Sequence, residues 1–332
     1  MRRAVLLGTG SHHPERLVPN AVFDEQFGPG VGDWLVENLQ IRQRYWAADD
    51  EATSDLCVAA ARNALDAAGV APEELDLIVL STDTPDYLSP STASVVQHTL
   101  GASRAGTFDL NAACSGFVIG LDVASKYLIS DPRYRRVLVL GGYTMSRHLD
   151  RNDKKTVTLF ADGAGAVVLG AEEGAEGGGR GFLGARMHTE GQYSGWMGIY
   201  AGGTRRPVDA AVLEEGAHKL QFVKKFPKEI NPITWNRMVR EQCEDLGITP
   251  QEVDHYVFTQ LNINSIHEAL DGLEVPRERA HTVMQRVGYT GSACIPMAFD
   301  DLVRSGGTKP GDKVMFVGSG GGLSFAVAAF QL

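Results

Sequence analysis

Two segments of this 332-residue chain carry one pattern 178 residues apart. Ala67 to Thr82 reads AAGVAPEELDLIVLST and Asp245 to Gln260 reads DLGITPQEVDHYVFTQ, with Gly, Pro, Glu, Asp and Val coincident and the apolar positions in step. At an offset of 177, RVLVLGG from Arg136 matches KVMFVGS from Lys313. Two matches in one order at nearly one offset indicate a tandem duplication, which restricts the chain to two copies of one unit. The predicted halves are 1–175, carrying the candidate nucleophile, and 176–332. They meet in the glycine-rich, polar AEEGAEGGGRG, the composition of a connecting segment. Similar halves pack about a pseudo-twofold axis and bring equivalent ends face to face. Ser81 then corresponds to Thr259, and the helix start at Cys114 corresponds to Thr290–Cys294.

Each half alternates short apolar runs with amphipathic stretches. LDLIVLST, RVLVLGG, AGAVVLG, VDHYVFTQ and KVMFVGSGGG are apolar on both faces, as in strands covered by helices on either side. SDLCVAAARNALDAAG has helical spacing and ends in a glycine suited to a C-cap. The class is therefore α/β.

The net charge of −10 argues against nucleic acid or an anionic membrane as a partner held by bulk electrostatics. A local basic patch for a phosphorylated cofactor or an acidic carrier stays open. The apolar run near the N-terminus, Ala4 to Leu7, is too short for a secretory signal, and no stretch reaches the ~20 apolar residues of a membrane span. Cys57, Cys114, Cys243 and Cys294 are scattered, without a CxxC pair, which suits a reducing cytoplasm rather than disulfides or zinc. The histidines do not fall at metal-ligand spacing, so no metal is expected. GTGSHHP lacks the third glycine of a dinucleotide fingerprint, and VGSGGGLSF has no P-loop lysine.

In FDLNAACSGFVIGL an extended run stops at Cys114 and an apolar helical pattern begins. A cysteine at a helix start faces unpaired N–H groups and the positive end of the helix dipole, which favour the thiolate. Small neighbours leave room for a substrate. Cys57, Cys243 and Cys294 are expected to pack. The glycines of VGSGGGLSF can donate N–H groups to an oxyanion.

FDLNAACSGF, TLFADGAGAVVLG, GSACIPMAFDDLV and VGSGGGLSF closely resemble the β-ketoacyl-acyl carrier protein synthase III family, over essentially the whole chain. The resemblance implies the thiolase fold, five layers α/β/α/β/α built from duplicated βαβαβαββ halves, normally a homodimer. Cys114 matches the family's nucleophile, and the backbone N–H groups of Cys114 and Gly321 match its oxyanion hole. Two positions depart. Where typical members have a histidine in HQAN this chain has TQLN, with Thr259; where they have an asparagine in GNTS it has GYTG, with Tyr289. In the family those two groups stabilise the enolate formed when a malonyl thioester loses CO2. Losing one such donor costs roughly 3–4 kcal/mol in comparable sites.

Acylation of a cysteine needs less, so the resemblance implies loading of an acyl group from an acyl-CoA or acyl-carrier thioester. That group would pass to an alcohol, amine or thiol, in polyketide or antibiotic biosynthesis by analogy. The alternatives are a carbon–carbon bond-forming ketosynthase with an altered Cys-Thr-Tyr site, and a non-catalytic partner subunit. Trp34 matches the tryptophan that stacks on the adenine of coenzyme A. Asn264 stands where an arginine covers the other side, and Lys154 or Lys155 stands near the phosphates, a weakened site that favours an acyl carrier protein as donor. Phe160 matches the acyl-pocket wall. The loop at Tyr87, Leu88 and Ser89 matches one that reaches the partner subunit's acyl site. No cofactor is implied beyond the thioester substrate.

Overall fold

The computed structural model describes residues 2–174 and 179–332, so the expected boundary at 175/176 lies outside the described residues. Along the strands, successive side chains enter different apolar clusters, which shows sheets covered on both faces. In β2 (Leu77–Ser81), Leu77 and Val79 join one cluster while Ile78 and Leu80 join another. In β8 (Lys313–Gly320), Val314 and Phe316 join that same first cluster while Met315 and Val317 join a third. The first cluster is therefore shared between two sheets, and the others lie outside them.

The first sheet has the order β1 (Arg2–His12), β5 (Asp162–Glu173), β4 (Arg136–Thr144), β2, β3 (Gly106–Leu110). Its β2 pairs in parallel with both β3 and β4, whereas β5 runs antiparallel to β1 and β4. The second sheet has the order β6 (Gly181–Thr189), β9 (Ser324–Gln331), β8, β7 (His255–Phe258), again with one parallel pair and two antiparallel pairs. The orders superpose as 1-5-4-2 on 6-9-8-7. The position of β3 is taken in the second sheet by a single bridge from Tyr256 to Ala280.

The sequence repeat has a physical basis in this arrangement. Helix α1 (Thr53–Ala68) ends at Gly69 with φ 62°, and α3 (Ile230–Leu246) ends at Gly247 with φ 67°, a left-handed cap that favours glycine. Past each cap an aspartate ties two parallel strands at their starts. Asp76 Oδ2 accepts from the Arg136 amide at 3.1 Å, and Asp254 Oδ2 accepts from the Lys313 amide at 2.9 Å.

Helices α2 (Gly116–Ser130) and α5 (Cys294–Arg304) fill the middle layer between the sheets. Helix α1 and the helix Thr92–Leu100 cover the first sheet, while α3 and α4 (Ile263–Leu273) cover the second. These are the five expected layers. Ala113–Ser130 is long and apolar enough to cross a membrane by composition, a point the apolar-run count missed. It is 61% buried, as the central helix of this core.

Candidate active site

Strand β3 hands the chain to α2 through a tight turn, and that turn presents Cys114. The sulfur-bearing residue lies in the 3-10 turn Ala113–Ser115, just ahead of α2 rather than in its first α-helical turn. Ala113 is held at φ 47°, a left-handed conformation that costs an alanine on the order of 1–3 kcal/mol. The surroundings enforce it. Asn111 Oδ1 accepts from the Ala113 amide at 3.1 Å, and β8 presses against the turn at Gly320. A Cβ on Gly320 would stand 2.5 Å from the Cys114 nitrogen, so only glycine permits this approach.

Cys114 is 4% exposed, and its protonation departs from the expectation drawn from the helix start. Burial pushes the thiol well above its ordinary range, and the nearby Asp83 carboxylate and Cys294 push it further. A hydrogen bond from the Tyr289 hydroxyl to the sulfur acts in the opposite sense, as does the Cys114 backbone. Burial wins, so the resting group is a thiol. Tyr289 is itself buried, with its ring 5.4 Å from that of Phe160, and its backbone is fixed by the Ala161 amide at 2.8 Å.

Thr259, at the end of β7, also reaches the site. Its hydroxyl donates to the Ser319 carbonyl at 3.2 Å and accepts from the Ser319 amide at 2.9 Å. The proton of that hydroxyl is thus committed to the backbone of β8, not offered to a substrate.

Two cavities meet at Cys114. One, of about 250 Å³, is bordered by Thr259, Tyr289, Asn262 and Gly321, with the exposed Lys225 and Lys228 at its rim. The other, of about 270 Å³, is bordered by Asp83, Tyr143, Phe160, Leu220 and Gly321. Cys114, Thr259, Tyr289, Gly321 and Phe160 are thereby brought together. Trp34, Lys154, Asn264 and Leu88 border neither cavity. Trp34 is 53% exposed on the helix Val31–Leu39, and Asn264 bonds that helix through the Asn38 carbonyl at 2.9 Å. Lys154 is exposed in the short helix Lys154–Val157, and Leu88 is 85% exposed. All four are exposed and line neither chamber, although Asn264 lies between Asn262 and Ser265, which border the first.

Asp83, Tyr143, Lys225 and Lys228 escaped sequence reasoning. Asp83 had a signal, since it lies two residues past Ser81, the strand end already paired with Thr259. The lysines had one in FVKKFPKE, a basic cluster in an acidic chain. The described residues hold no group of three or more His, Cys, Asp or Glu able to bind a metal.

Comparison with known proteins decides the family. The profile for 3-oxoacyl-(acyl-carrier-protein) synthase III matches residues 108–191, and that for its C-terminal region matches residues 243–332. The acetoacetyl CoA synthase NphT7 of Streptomyces sp. (strain CL190) is 39% identical over 98% of this chain and 98% of its own. This chain belongs to the β-ketoacyl-acyl carrier protein synthase III family. A family member from Rhizorhabdus wittichii, named β-ketoacyl-(acyl-carrier-protein) synthase III, is 38% identical over the full length of both chains. The crystal structure of a priming β-ketosynthase from a polyketide biosynthetic pathway superposes with TM-score 0.87 at 31% identity, covering 100% of this chain and 96% of that one. The fold is accordingly the thiolase fold of β-ketoacyl-acyl carrier protein synthase III, and the chain is an enzyme of this acyl-transferring and condensing class.

Proposed function

We propose that this protein takes an acyl group from a carrier-protein or coenzyme A thioester onto Cys114 and passes it to an alcohol, amine or thiol. One observation carries the reading. At the two positions where the family stabilises an enolate, Thr259 has its proton committed to Ser319 and Tyr289 bonds the sulfur itself. Neither offers the N–H that decarboxylation uses. Cys114 keeps what acylation needs, namely an accessible chamber, a donor that favours the thiolate, and backbone amides at Cys114 and Gly321 as the oxyanion hole.

Lys225 and Lys228 at the rim fit a phosphopantetheine phosphate or an acidic carrier protein, and favour the carrier as donor. We further propose that the halves 1–175 and 176–332 are the two copies of the duplicated unit, and that the protein works as a homodimer in the cytoplasm. Strand β3 is an outer strand of its sheet with one edge unpaired and its residues half-buried or exposed, the state of an edge awaiting a partner. Four free cysteines fit a reducing compartment.

Condensation with an altered site is the second reading, favoured by the relatives' names as synthases. Intact-mass measurement after incubation with acyl-CoA and acyl-carrier donors should show an adduct that Cys114→Ala lacks. The absence of any adduct would overturn acyl transfer. Release of labelled CO2 from a malonyl carrier would replace transfer with condensation, and Thr259→His with Tyr289→Asn is expected to raise that release.

A further inference from the structure

Asp83 stands in the wall of the chamber that opens on Cys114, a mixed space lined by the apolar Phe160, Met145, Ile199 and Leu220 and by neutral polar groups. Its Oδ1 is closed off from solvent and has no hydrogen-bond partner. No ion pair among the described residues includes it, and no cation contributes to its electrostatic surroundings. Burial pushes its carboxyl up to about 6, so it still carries charge at neutral pH. Buried polar groups left without a partner are rare in native proteins and need a reason. A wall that served only a plain hydrocarbon chain would gain nothing from an acid at this point. Among the described residues no other charged side chain lines the chamber, and its polar members Tyr143, Tyr200, Asn111 and Ser194 are neutral.

We propose that Asp83 selects acyl groups bearing a hydrogen-bond donor, a hydroxyl or an ammonium, and holds that donor while the acyl carbonyl is bonded to Cys114. The inference rests on acyl loading as proposed above. In that step the thioester C–S bond of the donor breaks as a new C–S bond forms at Cys114. The proton of the Cys114 thiol leaves on the released thiol. Asp83 takes no part in this exchange of bonds. The protein offers this carboxylate no side-chain donor, and a donor on the chain in the chamber supplies one.

The test compares butyryl, 3-hydroxybutyryl and 3-aminobutyryl thioesters, on coenzyme A and on a carrier protein, by the initial rate of Cys114 loading in intact-mass spectra. The native protein is expected to load at least one of the substituted groups ~10-fold faster than butyryl, since sites built to bond a polar group discriminate strongly against its absence. The hydroxyl and amino arms separate the two donor types. In Asp83→Val that ratio is expected to fall to about one, with Asp83→Asn intermediate. A ratio taken within one variant is independent of how much of it folds, and the asparagine variant preserves the side chain's size. Equal loading of all three thioesters by the native protein would overturn this inference and leave acyl transfer standing. So would an equal slowing of substituted and plain groups in both variants, the mark of a role on the thiol. No loading of any thioester would overturn both.

Discussion

Tyr289 and Asp83 press on the same sulfur from opposite directions. The phenol donates to Cys114 and favours the thiolate, while the carboxylate and burial favour the thiol. Alkylation of Cys114 by iodoacetamide should therefore rise with pH beyond the ordinary thiol range. Tyr289→Phe removes the one donating side chain, moves the thiol higher still, and should slow alkylation at pH 8 by about three- to tenfold. A faster reaction in Tyr289→Phe would contradict the hydrogen bond. Asp83 carries a cost in stability. Its carboxyl rises from 3.8 to about 6 in the folded protein, so the folded state binds the proton more tightly than the unfolded chain. The native state is then favoured at low pH, and this advantage is lost as pH rises through about 6. Asp83→Asn should stabilise the protein at pH 7.5 by about 1–3 kcal/mol, with no gain below pH ~4, measured by urea unfolding at both values. Cys114 was legible as a candidate nucleophile because a helix start and small neighbours are visible in sequence. Its protonation was not, because burial arises from β8, Tyr289 and Asp83, which are remote along the chain.

At the scale of elements, the site depends on how closely β8 approaches the turn before α2. Gly320→Ala should destabilise the protein by about 1–3 kcal/mol and slow Cys114 loading, because the added methyl meets the Cys114 nitrogen in a packed interior. Gly321→Ala is the contrast. The nearest atom to its new Cβ is the Met197 carbonyl oxygen at 3.8 Å, so thermal unfolding should change little. Equal losses in the two variants would remove the close approach as the cause. The strands and their helices were readable from apolar runs and glycine caps, and the repeated Gly-Pro-Glu-Asp pattern was readable as two copies. The shortened second copy was not. It replaces a whole strand by the bridge at Ala280, and no residue type announces a strand that fails to form.

Over the whole molecule, a chain of net charge −10 gathers Lys225 and Lys228 beside the opening to its candidate nucleophile. An acidic carrier would meet repulsion elsewhere and attraction here. Lys225→Glu with Lys228→Glu should reduce loading from an acyl carrier protein about tenfold at low salt, with the loss shrinking as salt is added. Loading from a short thioester without a phosphate should be nearly unchanged. Equal losses from both donors would show that the lysines act on the chamber rather than on the carrier. The basic cluster is visible in sequence but its place is not, because Lys225 and Lys228 are remote from Cys114 along the chain and only the fold sets them around one opening.

Cys114 has a separate chamber on each side, and this divides the tasks of evolution. On the function proposed above, the Asp83 side can be reshaped around the acyl group while the lysine side is reshaped around its carrier, since the two linings share only Met197, Gly321 and the cysteine. Changes on the two sides should then combine additively in their effects on rate. A chain built this way can change the acyl group or the carrier one at a time, without rebuilding the centre between them.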